Sequence, residues 1–136
     1  MAGERILIVD DEKLMRDYLK YLLEPRYRVD TASSGEEALR MIEEEVYDLV
    51  FVDLRLPGMD GIELIRRINE LSPGTQTIAM TSYGLIEIES VSRLMKLGAF
   101  DCIQKLLIHP EELEQKVEEA IKKGKSLREK RRPAQA

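Results

Sequence analysis

The amino-acid sequence predicts a three-layer α/β sandwich built on a five-stranded parallel sheet in the strand order 2-1-3-4-5. Five short segments rich in β-branched or large apolar residues alternate with five longer amphipathic ones, the pattern left by repeated strand–helix–strand units. Right-handed crossovers then put helices on both faces of the sheet. The first and third apolar segments are the most continuous, which suits central strands covered on both sides and favours the stated order.

The first strand is RILIV (5–9), and Met15, Leu19 and Leu22 follow it at helical spacing until Pro25 closes that helix. YRVDT (27–31) is the second strand. Ser34 with Glu37 resembles a capping box, opening a helix that carries Ala38, Met41 and Ile42 on one face. DLVFV (48–52) is the third strand; Asp60 with Glu63 is a looser box ahead of Leu64, Ile68 and Leu71. TQTIAM (75–80) is the fourth strand, followed by a helix from Leu85 to Leu97 with Ile88, Val91 and Met95 and a terminating Gly98. AFDCIQ (99–104) is the fifth strand, and Leu113, Val117 and Ile121 mark the last helix. One domain therefore spans 1–122, with 123–136 as a basic linker or tail that keeps helical character through Lys130.

A chain of 136 residues, 43% hydrophobic and 35% charged, fits one globular domain with a sizeable core. The net charge of −5 conceals a division. From Lys122 onward there are seven basic residues and one acid, so residues 1–121 carry 14 basic against 25 acidic groups. An acidic body repels nucleic acid, whose binding requires phosphate neutralisation. A single cysteine, Cys102, forms no internal disulfide, and one histidine, His109, with no neighbouring cysteine argues against zinc. The N-terminal MAGERILIVDD has no signal-peptide pattern and no run reaches membrane-spanning length, so a cytoplasmic setting is expected.

In such sheets ligands gather beyond the carboxyl ends of the strands, at the switch in winding between strands one and three. Asp10, Asp11 and Glu12 follow strand one, Asp53 follows strand three, Thr81 and Ser82 follow strand four, and Lys105 follows strand five. Each has a plain local explanation: an aspartate at a strand end starts a turn, and Asp11 could cap the helix beginning near Glu12. Jointly they imply more. Two carboxylates about 5 Å apart repel by roughly 3 kcal/mol at an effective dielectric of 20. A hard divalent ion such as Mg²⁺, which takes a few carboxylates and keeps several waters, relieves that repulsion, and Lys105 adds a second cation.

With ILIVDDE, VDLRLPGMDG, IAMTSYG and LGAFDCIQK in place, the chain resembles the response-regulator receiver domains of two-component signalling over residues 4–122, most closely those preceding AAA+ transcription activators. The resemblance implies a flavodoxin-like fold and a phosphoacceptor rather than an enzyme. Asp53 would accept a phosphoryl group from a sensor histidine kinase. Asp10 and Asp11 would hold Mg²⁺ with Asp53 and the backbone carbonyl of Arg55. Thr81 would supply the switch hydroxyl and Lys105 a phosphate contact. The side chains of Arg55 and Tyr83 would flank the water entrance and set phosphate lifetime. The chemistry suits these types: a carboxylate can form an acyl phosphate, and phosphoryl transfer depends mostly on positioning and charge neutralisation.

Two features depart from the pattern. Cys102 stands three before the lysine where an aromatic residue is usual, and Leu106 replaces the usual proline after it. A cis bond before a non-proline residue costs about 2.5–4 kcal/mol, so the Lys105–Leu106 peptide is expected to be trans. A rival reading follows, an atypical receiver that serves as an interaction module with weak or no phosphorylation. An aspartyl-phosphate phosphatase would need a second acid where Arg55 stands, and VDDEKLM has no glycine loop for a nucleotide or flavin phosphate. Signal output is expected through helix four, strand five and helix five, where Ile86, Ile88, Leu106, Leu107 and Ile108 form an apolar neighbourhood for an output domain, a partner or a second copy in a homodimer.

Overall fold

The computed structural model describes residues 3–82 and 88–130, with the side chains of 88–90 excepted. The elements are β1 (Arg5–Val9), α1 (Lys13–Leu23), β2 (Arg28–Ala32), α2 (Gly35–Glu44), β3 (Leu49–Asp53), α3 (Gly61–Leu71), β4 (Gln76–Thr81), α4 (Ile88–Lys96), β5 (Asp101–Gln104), a 3-10 turn (Lys105–Leu107) and α5 (Pro110–Lys130). The sheet is parallel with the order β2-β1-β3-β4-β5, as the apolar pattern predicted. Strand boundaries differ from expectation by one or two residues: β2 and β4 lie one residue later, β5 starts later at Asp101, and β3 extends to include Asp53.

Alternation along the strands divides the core into two layers. Leu7, Val9, Val50, Val52 and Ala79 face α2, α3 and α4, where Ala38, Ile42, Leu64, Ile65, Ile68 and Leu94 meet them. Ile6, Ile8, Leu49, Phe51, Ile78 and Met80 face α1 and α5, packing with Leu19, Leu23, Leu113, Val117, Ala120 and Ile121. Helix α4 buries Leu94, whereas the expected Met95 is 49% exposed. Leu71, expected on the buried face of α3, is likewise 50% exposed.

The capping signals act locally. Ser34 Oγ accepts from the Glu37 amide at 3.2 Å, and Glu37 Oε1 accepts from the Ser33 amide at 2.8 Å, one residue earlier than a standard box. Asp60 accepts from Ile62 N at 2.9 Å. Gly98, at φ 96°, ends α4 in a left-handed turn in which Gly98 N donates to Met95 O and Ala99 N to Leu94 O. Among the described residues the only cis peptide is Glu24–Pro25, so Lys105–Leu106 is trans.

Helix α5 continues past the expected boundary at residue 122. Gly124 is buried, Lys125 pairs with Glu4 at 2.8 Å, and Arg128 reaches the base of β3, bonding Asp48 Oδ1 at 2.9 Å and the Tyr47 carbonyl at 3.2 Å. These contacts tie the helix end to the sheet. Removing residues 123–136 is therefore expected to lower stability by about 1–3 kcal/mol. A denaturation midpoint unchanged by the truncation would show that this segment contributes nothing to the domain.

Candidate functional site

Register brings the two acidic strand ends side by side. Val9 pairs with Val52, so Asp10 and Asp53 are the next residues on adjacent strands and share the α1 side of the sheet. Both are buried, at 0% and 2% exposure. Asp10 is held by its own turn, with Oδ1 accepting from Glu12 N at 2.8 Å and its carbonyl accepting from Arg16 Nη1 at 2.8 Å. Asp53 Oδ1 accepts from Arg55 N at 3.0 Å, which orients the carboxylate at the end of β3.

Lys105 closes the arrangement. The chain leaves β5 into the 3-10 turn, and the buried lysine points its ammonium back among three carboxylates. Nζ lies 2.7 Å from Asp10 Oδ2, 2.8 Å from Glu12 Oε1 and 3.2 Å from Asp53 Oδ2. Burial alone would lower the pKa of this amine, but Asp10 and Glu12, with the charge on Asp53, outweigh it and hold the pKa above its ordinary value. Asp10 shows the opposite balance. Burial pushes its carboxyl upward, the bonds to Lys105 and the Glu12 amide pull it down, and the Asp53 charge raises it again. Strand β3 can end on a buried acid because Lys105, 52 positions away in the chain, pairs with it.

One carboxylate oxygen from each of Asp10, Asp11, Glu12 and Asp53 lies within 4.8 Å of the others. Hard oxygen donors, two of them buried and two at the rim, fit a small divalent cation that keeps several waters. Thr81 ends β4, half-buried, one residue beyond the Met80 that pairs with Asp53. It therefore belongs to the same edge. Arg55 is exposed, two residues past Asp53. Tyr83 and Ile86 lie outside the described residues, as does the side chain of Ile88.

The structure brings together Asp10, Asp11, Asp53 and Lys105 as the sequence suggested, but modifies two details. The side chain that meets the backbone at the start of α1 is Asp10, not Asp11, because Glu12 occupies the N-cap position and Asp10 Oδ1 takes its amide. Sequence reasoning noted Glu12 after strand one without assigning it a role, and passed over Arg16. Glu12 was visible as the third acid of a run, yet its reach to Lys105 spans 93 positions and depends on a rotamer. Arg16 carries the periodicity of a surface residue, and nothing in the spacing signals its bond to a carbonyl six residues back.

Beyond the edge, Leu106 and Leu107 are 84% and 63% exposed, while Ile108 packs partly against the core. Cys102 is half-buried, and burial raises its thiol pKa. Among the described residues no helix is long and apolar enough to cross a membrane.

Residues 6–118 match the response regulator receiver domain family. Over 100 residues the chain is 37% identical to sporulation initiation phosphotransferase F of Bacillus subtilis (strain 168), covering 73% of this chain and 79% of that protein. It is 37% identical over 110 residues to the transcriptional regulatory protein ZraR of Klebsiella oxytoca, covering 79% of this chain and 24% of the relative. A solved receiver domain protein (CheY-like) from Methanospirillum hungatei JF-1 aligns at a TM-score of 0.84 and 33% identity, covering 92% of this chain and 98% of that one. The chain thus spans most of one relative and about a quarter of another. Because the match reaches all five strands and the acids it contains meet a lysine at the sheet's carboxyl edge, this chain belongs to the response regulator receiver domains of two-component signalling.

Proposed function

We propose that Asp53 is the phosphoacceptor, modified by a sensor histidine kinase in a Mg²⁺-dependent reaction. The observation that carries this reading is the buried Asp53 carboxylate, 3.2 Å from Lys105 and inside a four-acid cluster at the strand edge. An Asp53 oxygen attacks the phosphorus of a phosphohistidine, the P–O bond of an acyl phosphate forms, and the P–N electron pair leaves with the imidazole. Transfer through a loose transition state needs neutralised charge and alignment more than further covalent chemistry. Mg²⁺, when bound, neutralises the phosphoryl oxygens; Asp10, Asp11, Asp53 and the Arg55 carbonyl would hold it. Lys105 supplies a second cation, and Thr81 a hydroxyl that bonds the phosphoryl group.

The modification adds negative charge and acceptor oxygens beside Thr81 and Lys105. Drawing those groups inward biases the segment after β4 and helix α4 between two arrangements. The α4–β5–α5 face, with exposed Leu106 and Leu107, would pass the change to an output domain, a partner protein or a second copy. The body between residues 1 and 121, acidic overall, is suited to protein contacts and not to direct nucleic-acid binding. The resemblance to receivers that precede AAA+ activators makes such an output domain the favoured target.

Intact-mass spectrometry of the purified protein with acetyl phosphate tests the assignment. A single phosphoryl adduct is expected with Mg²⁺, none after chelation, and none in Asp53→Asn. A folded protein that forms no adduct in Mg²⁺ would instead be a phosphate-independent interaction module. An adduct that persists in Asp53→Asn would place the acceptor elsewhere.

A further inference from the structure

We infer that Glu12 is a displaceable latch on Lys105, which competes with the phosphoryl group for the ammonium; this rests on the assignment of Asp53 as phosphoacceptor. The Lys105 ammonium donates to Glu12 Oε1 and Asp53 Oδ2 and lies 2.7 Å from Asp10 Oδ2 in an ion pair without hydrogen-bond alignment. The face of the ammonium beside Asp53 is already shared with Glu12. A phosphoryl oxygen arriving on Asp53 therefore competes for Lys105 with the carboxylates already around it.

The three carboxylates are unequal in freedom to leave. The side chains of Asp10 and Asp53 are 0% and 3% exposed and each is also bonded to a backbone amide, at Glu12 N and Arg55 N respectively. Displacing either from the lysine strands a buried charge. The Glu12 side chain is 62% exposed, at the N-cap position of α1, and makes no capping bond. Its carboxylate can swing into water and recover hydration at once. Glu12 is consequently the group that yields, and in the resting protein it competes with the phosphoryl oxygens for Lys105. It acts through the lysine and is a positioning residue in the transfer reaction.

An ion pair with one exposed partner is worth little, so the competition is modest. Glu12→Gln is expected to bind beryllofluoride, in saturating Mg²⁺, about two- to fivefold more tightly than the unmodified protein. Glu12→Asp keeps the charge but shortens the arm below the reach to Lys105. If the contact matters, Glu12→Asp will follow Glu12→Gln. Titration calorimetry with beryllofluoride, with parallel Mg²⁺ titrations lacking the mimic and the ¹⁵N shift of the Lys105 ammonium, reads the effect independently of fold stability. Unchanged beryllofluoride affinity in Glu12→Gln would overturn the latch. So would a Glu12→Asp protein that binds like the unmodified one, since the effect would then be general repulsion. Weakened Mg²⁺ binding in Glu12→Gln would also overturn it by placing Glu12 among the groups that serve the metal. Failure of every protein, including the unmodified one, to bind beryllofluoride would instead reject Asp53 as the acceptor.

Discussion

Gly61→Ala is expected to destabilise the domain by about 3 kcal/mol and to lower its thermal midpoint by about 10 °C. A Cβ built at Gly61 lies 2.5 Å from the Asp53 carbonyl oxygen and 2.6 Å from Leu54 Cα. Both obstacles are backbone, so no rotamer relieves the clash. Helix α3 must retreat from the end of β3, or the segment 54–60 must be redrawn. Either movement acts on the peptide that carries Asp53, whose carboxylate is oriented by the Arg55 amide. Formation of the acetyl-phosphate adduct is therefore expected to slow even where the protein remains folded. Gly3→Ala is the control, since its Cβ would meet only the Arg26 carbonyl, at 3.4 Å. Thermal denaturation of both variants separates close approach from any general effect of losing a glycine. Equal midpoints would mean that the α3–β3 junction yields freely.

Lys105→Met should cost about 3–5 kcal/mol in the absence of metal, because it leaves Asp10 and Asp53 buried without their cation. The chain length is kept, so the loss reports charge more than packing. Two consequences distinguish this from an ordinary core defect. Mg²⁺ should raise the midpoint of Lys105→Met more steeply than that of the unmodified protein, since the ion stabilises the folded state by mass action and relieves a larger repulsion. The double variant Lys105→Met with Asp53→Asn should recover part of the lost stability, because one of the two repelling charges is gone. Denaturant titrations with and without Mg²⁺ test both. Strict additivity of the two substitutions would show that the pair is not coupled.

The fold was legible because its signals are local and redundant. Each helix carries apolar residues at helical spacing, and RILIV and DLVFV have the unbroken hydrophobicity of strands covered on both faces. The limits of the strands were less legible. Asp53 belongs to β3 because the ladder to β4 continues through its pairing with Met80, which no hydrophobic pattern records. Met95 has the spacing of a core residue, yet the helix turns Leu94 inward instead. For the site, the acids and Lys105 could be named from their places at strand ends, since parallel topology collects those ends at one rim. Their pairing could not. Whether Lys105 lay in solvent or among carboxylates depended on the turn after β5, and Glu12 entered only through the distance that turn created.

A protein that supplies its own counter-ion at the acidic rim is not dependent on magnesium for survival. When the ion is scarce, the lysine still offsets part of the carboxylates' repulsion and holds the fold, while the proposed Mg²⁺-dependent transfer to Asp53 stops. Magnesium starvation should thus silence the domain reversibly, and resupply should restore responsiveness without new synthesis.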